Sequence, residues 1–169
     1  MKQAKSDINL KLWRSLAQAV SGAGTDLGEF SGEEVMQAAD EHGVGPLLHR
    51  QVKAGTVGGL AEKVTQHLAE TARSQAALDL LLNQATSRFT ELLEANGIPS
   101  LLLKGTPVAH LYYPATYLRT RCDTDIYIRE DDLEKATILL SDGNYHISKS
   151  EGREISTKQY VAAIPSVQN

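Results

Sequence analysis

The sequence predicts an α+β fold, with an N-terminal helical bundle over residues 1–96 and an α/β core over residues 97–169. Three observations carry this reading. Apolar residues recur at helical spacing as far as Asn96. From Ile98 onward they gather into short runs punctuated by Gly and Pro. Two aspartates, Asp123 and Asp125, then stand at the mouth of one of these runs, where carboxylates are uncommon.

The helical half is read from stripes and caps. Asp7 caps a first helix carrying Ile8, Leu12, Leu16 and Val20, which ends near Ser21-Gly22. Ser31-Gly-Glu-Glu34 is a capping-box pattern and opens a second helix that runs to His42-Gly43. A short helix spans Pro46 to Lys53, and Ala54 to Gly59 reads as a flexible turn. In the long segment that follows, Leu60, Val64, Leu68 and Ala72 recur every four residues. Leu78, Leu81, Ala85, Phe89 and Leu92 continue the stripe, and Asn96-Gly97 ends it. His42, His49 and His67 lie on different elements without metal-ligand spacing and read as structural or exposed.

The second half alternates. Ile98 to Leu103 reads as a buried strand leading into Lys104-Gly105-Thr106, and Pro107 suits the first turn of a helix carrying Val108, Ala109, Leu111 and Tyr112. Pro114 closes that helix. Asp123 to Ile128 is the second strand. The acidic run Glu130 to Asp132 opens a helix with Leu133, Ala136, Thr137 and Leu140 inward, ending at Asp142-Gly143-Asn144. Tyr145 to Ser148 is a third strand. The tail from Lys149 is polar apart from a short apolar patch, Tyr160 to Ile164.

Composition narrows the function classes. Of the 169 residues 41% are hydrophobic and 22% charged, which is ordinary for a soluble globular protein. A net charge of -4 leaves no global footprint for nucleic acid or an anionic membrane, and 5% aromatics argue against a base-stacking platform. No segment reads as a signal peptide or membrane span, so no membrane partner is expected. The one cysteine, Cys122, has no internal disulfide partner, which suits a cytoplasmic setting.

Two pieces carry possible chemistry. A glycine at the strand-to-helix junction Lys104-Gly105-Thr106 lets an anion approach the backbone. The helix start presents N–H groups to it, Thr106 offers a hydroxyl, and Lys104 adds positive charge. The same residues also serve as ordinary turn-and-cap chemistry. Alternation puts Asp123 and Asp125 on one strand face, so a cation between them or simple hydration must relieve their repulsion. Two such carboxylates suit Mg²⁺, with substrate phosphates as further ligands and a two-metal site as one form. An EF-hand loop is excluded, because its third oxygen ligand and central glycine are missing after Asp125. Arg119 and Arg121 just before the aspartates suit phosphate oxygens, or an ion-paired surface loop.

The run LLLKGTPVAHLYYPATYLRTRCDTDIYIREDDLEKATILLSDGNY, Leu101 to Tyr145, resembles the nucleotidyltransferase fold of the DNA polymerase β-like superfamily. More narrowly, it is similar to the bacterial uncharacterised nucleotidyltransferase family. The carriers are Lys104-Gly105, Arg119, Asp123 and Asp125, Glu130 to Leu133, and Gly143-Asn144-Tyr145. The earlier HGVGPLLHRQV, His42 to Val52, looks like the helical segment these proteins carry in front. The resemblance implies a mixed-sheet nucleotidyltransferase-like core. It also implies Mg²⁺-dependent transfer of a nucleoside monophosphate from an NTP to an unknown acceptor hydroxyl on a small molecule, protein or nucleic acid. Gly105 and Thr106 would hold the triphosphate, Lys104 and Arg119 would contact phosphate, and Asp123 and Asp125 would be the catalytic metal ligands.

Two departures stand out. Gly105-Thr106 replaces the usual Gly-Ser, which keeps the hydroxyl. Active members carry a third carboxylate on a later strand, whereas only Glu151 and Glu154 follow Tyr145, neither on a predicted strand. Family members are usually longer, so an incomplete core in a truncated or degenerate member is expected. The rival readings are a catalytically degenerate nucleotide-binding or regulatory module of the same fold, and a helical interaction protein supported by its α/β part.

Overall fold

A computed structural model describes residues 2–142, 146–149 and 160–163. Helices dominate and the strands are short. The order is α1 (Lys2–Val20), β1 (Thr25–Asp26), α2 (Gly32–Glu41), α3 (Gly45–Lys53), β2 (Val57–Gly58), α4 (Glu62–Ala95) and β3 (Ser100–Leu103). It continues with α5 (Gly105–Tyr112), β4 (Asp125–Ile128), α6 (Leu133–Asp142), β5 (His146–Lys149) and β6 (Tyr160–Ala163). The chain divides into two units, Met1–Leu82 with Lys104–Thr124, and Asn83–Leu103 with Asp125–Asn169. No helix among the described residues is long and apolar enough to cross a membrane.

The first unit is built on the inner faces of the early helices. Leu12 and Leu16 of α1, Val35 of α2, Leu48 of α3, and Val64 and Leu68 of α4 form one buried cluster. The capping box at α2 forms as its sequence pattern predicts. The Ser31 hydroxyl accepts from the Glu34 N–H at 3.2 Å, and the Ser31 N–H donates to the Glu34 carboxylate at 3.0 Å. Hydrogen bonding of the Glu34 carboxylate to the Ser31 hydroxyl, and then to the Ser31 N–H, holds the Glu34 carboxyl below its usual pKa. The segment Ala54 to Gly59, read from sequence as a flexible turn, instead supplies β2, which pairs in parallel with β1. The pairing is tight enough to require glycine: a Cβ on Gly59, whose φ is +76°, would fall 2.1 Å from the Asp26 carboxylate.

The long stripe on α4 turns differently from its four-residue pattern. Val64, Leu68 and Ala72 are buried, but the inner face then passes to Gln75, Asp79 and Leu82. Leu81, expected on the stripe, is 58% exposed. Spacings of four overshoot a 3.6-residue turn, so a face sustained over several turns must include steps of three.

In the second unit the end of α4 closes as a Schellman motif. The Ile98 N–H donates to the Leu93 carbonyl and the Gly97 N–H to the Glu94 carbonyl, with Gly97 at φ +69°. Ile98 is thereby drawn into the hydrophobic contact with Leu93 that accompanies such caps. It packs in a small core with Ala136, Phe89, Ile128 and Leu139 instead of starting the strand. β3 begins at Ser100 and pairs antiparallel with β4, Ser100 opposite Ile128 and Leu103 opposite Asp125. β5 pairs antiparallel with β6, so the apolar patch near Tyr160 is a strand. The predicted third strand is observed at His146–Lys149. Its first residue, Tyr145, lies outside the described residues, as do Gly143, Asn144, Glu151, Glu154 and Ile164.

Candidate functional site

Lys104, Gly105, Thr106, Arg119 and Asp123 all belong to the first unit. Lys104 precedes α5 with φ 52° and ψ -114°, and it is the one non-glycine residue at positive φ among the described residues. That conformation is the first corner of a type II′ turn, where glycine is favoured. Held there, a lysine carries backbone strain of about 1–3 kcal/mol. Gly105 and Thr106 are the first two residues of α5, where a helix leaves N–H groups without carbonyl partners, and Pro107 contributes no donor. Gly105 does not have positive φ, and a Cβ built on it meets nothing within 4 Å. Neither backbone nor packing demands a glycine here, and the space above its Cα is open.

Thr106 is 1% exposed, and its hydroxyl is engaged inside the protein. It accepts from Arg121 Nη1 at 3.1 Å and donates to Thr124 Oγ1 at 3.2 Å. Arg121 is likewise buried instead of pointing outward to an anion. Its Nη2 and Nε donate to Asp79 Oδ1 at 2.8 and 3.1 Å. Thr116 donates to the other Asp79 oxygen, and Gln75 Nε2 donates to the Arg121 carbonyl at 3.1 Å. Sequence reasoning missed Asp79. Its signal was a pair of polar residues four apart, Gln75 and Asp79, interrupting an apolar helix face.

Arg119 is half-buried, and its buried Nε has no hydrogen-bond partner among the described residues. The neighbouring Thr120 hydroxyl donates to the Gly43 carbonyl at 2.7 Å, which fastens this segment to the loop after α2. Asp123 is exposed and lies before β4, two residues ahead of the observed strand start. The alternation argument therefore reaches Asp125, the first residue of β4, but not Asp123. Asp125 is partly buried and belongs to the second unit.

Whether these residues suit Mg²⁺ depends on their donor chemistry. Both aspartates offer hard oxygen ligands, and the ion commonly takes one or two carboxylates and fills its remaining positions with phosphate and water. Among the described residues no group of three or more His, Cys, Asp or Glu could hold a metal by itself. Two carboxylates would leave the remaining positions of such an ion to phosphate and water. His42 lies against Trp13 with ring centroids 3.7 Å apart, and His67 Nε2 is 2.9 Å from the Asp40 carboxylate.

A model of an uncharacterised nucleotidyltransferase family matches residues 28–163, well over half of the chain. The chain belongs to that family. The match starts before α2, so family membership extends through the helical segment as well as the strand-to-helix junction and the aspartates. As a member of this nucleotidyltransferase family the chain has a general nucleotidyltransferase-like role. No curated protein and no solved structure matches it.

Proposed function

We propose that this nucleotidyltransferase-family protein transfers a nucleoside monophosphate from an NTP to an acceptor hydroxyl. The acceptor oxygen attacks the α-phosphorus and a new P–O bond forms. The bond from the α-phosphorus to the bridging oxygen breaks, pyrophosphate leaves with the electron pair, and the acceptor proton passes to solvent. The N–H groups of Gly105 and Thr106 hold triphosphate oxygens, and Lys104 and Arg119 offset their charge. Asp123 and Asp125 would hold Mg²⁺, which when bound would supply charge neutralisation on the phosphates. The observation that carries this reading is the open glycine at a strand-to-helix junction, upstream of an aspartate pair, in a chain of this family.

One observation favours a second reading. Among the described residues the strands after α6 are HISK and YVAA, and neither carries the later carboxylate expected of active members. A module that binds Mg-nucleotide without turnover accommodates that lack.

The test is thermal stability against ATP, GTP, CTP and UTP, with and without Mg²⁺, for the wild type and an Asp123→Ala/Asp125→Ala variant. A nucleotide at a hundred times its dissociation constant stabilises by about 2.7 kcal/mol. A Mg²⁺-dependent shift that the variant loses supports the site, and no shift with any nucleotide refutes it. Pyrophosphate release then separates the two readings. Under the first, Asp125→Asn abolishes release while the melting transition is retained, because a lost charge weakens metal binding more than packing. Unchanged turnover in Asp125→Asn would exclude that carboxylate from the chemistry.

A further inference from the structure

A buried ion pair is a poor way to stabilise a fold, because desolvation of both charges offsets most of their attraction. The side chains of Arg121 and Asp79 are 3% and 5% exposed. Apolar residues at both positions would satisfy packing equally well. What apolar residues cannot supply is the remaining arm of the guanidinium. With Nε and Nη2 committed to Asp79 Oδ1, Nη1 donates to two threonine hydroxyls, Thr106 at 3.1 Å and Thr124 at 3.3 Å. Thr106 follows Gly105 in the first turn of α5, and Thr124 stands between Asp123 and Asp125 in the chain. Asp79 is itself held on its second oxygen by Thr116, in the short helical turn Thr116–Leu118. Three segments of the first unit therefore meet on one planar group, and a fourth is joined to it through Asp79.

We propose that Arg121 and Asp79 are positioning residues for nucleotide binding. The pair fixes the start of α5 and the residue between the aspartates through Thr106 and Thr124, and this rests on the nucleotidyltransferase reading above. A guanidinium suits the task because its donors lie in one rigid plane, so the carboxylate that orients one edge also aims the other. Lysine in its place would keep the charge and lose the aim.

The decisive variant is the double replacement Asp79→Leu/Arg121→Met, which removes both charges at similar volume and strands neither. It is compared with the wild type by circular dichroism, by Mg²⁺-dependent binding of the four NTPs, and by hydrogen exchange at the Val108 and Ala109 amides. The expected result is a folded protein whose Mg-NTP affinity falls at least tenfold and whose amides at the start of α5 exchange faster. A folded double variant that binds nucleotide as the wild type does overturns the proposal. If the wild type itself binds no NTP, the functional reading fails separately. Unchanged exchange at Val108 and Ala109 in the double variant would then overturn the positioning role as well. Should the double variant not fold, Thr124→Val removes one acceptor and leaves the ion pair. It is expected to weaken Mg-NTP binding at least threefold, and unchanged affinity refutes the proposal.

Discussion

Replacing Gly105 by alanine separates a functional glycine from a structural one. The residue opens α5 without positive φ, and the position of its missing Cβ is empty to 4 Å. Alanine fits without strain and lowers the entropy of the unfolded chain, so Gly105→Ala should stabilise the free protein by about 0.4–1 kcal/mol. For a chain of this size each kcal/mol is worth about 2–4 °C, so the apo melting temperature should rise by about 1–4 °C. The nucleotide response should move the other way. A phosphate oxygen bonded to a helix-start N–H sits about 2.9 Å from the nitrogen, and the new methyl competes for that space. A tenfold loss of affinity cuts the stabilisation at a fixed nucleotide concentration from about 2.7 to about 1.4 kcal/mol. Differential scanning fluorimetry with and without Mg-NTP reads both quantities in one experiment. An undiminished nucleotide shift would show that nothing approaches this backbone. A lowered apo melting temperature would show that the fold itself demands the glycine.

Three further outcomes follow from particular residues. At Lys104, glycine and alanine both remove the side chain but only glycine relieves the positive φ. Lys104→Gly should therefore be about 1 kcal/mol more stable than Lys104→Ala in urea melts, after glycine's own entropic cost; equal stabilities would mean the turn is unstrained. At Gly59, a left-handed φ costs a residue with a Cβ about 1–2 kcal/mol and overpacking adds about 1–3. Gly59→Ala should thus lower stability by at least about 2 kcal/mol, and a neutral result would deny the tight pairing of β1 with β2. At His49, burial, followed by repulsion from Lys53 and Arg73, holds the imidazole below its ordinary pKa. The unfolded chain then binds a proton that the folded one refuses, so stability is present above pH of about 6.5 and is lost on acidification below it. His49→Gln should flatten the fall in melting temperature between pH 7.5 and 5.5, and an unchanged fall would remove His49 from the acid response.

What was legible in sequence was local. Ser31 and Glu34 cap a helix through bonds that close within one turn. Asn96-Gly97 stops α4 because glycine takes the left-handed conformation at little cost. Lys104-Gly105 marks the passage from strand to helix. Each depends on neighbours a few residues away, so each can be read from spacing. The β1–β2 pair, joining Thr25 to Val57, could not be read so, because two-residue strands are made by their partners and not by their own propensity.

The role of Arg121 was tertiary in the same sense. Beside Arg119 and the aspartates it reads as one more surface cation for phosphate. Only the fold brings Asp79, 42 residues earlier, to its guanidinium and takes both out of water. The sequence determined which residues carry charge and which hydroxyls stand nearby. Burial decided which charge is spent inside the protein, because a desolvated guanidinium must find its carboxylate before it can serve anything else.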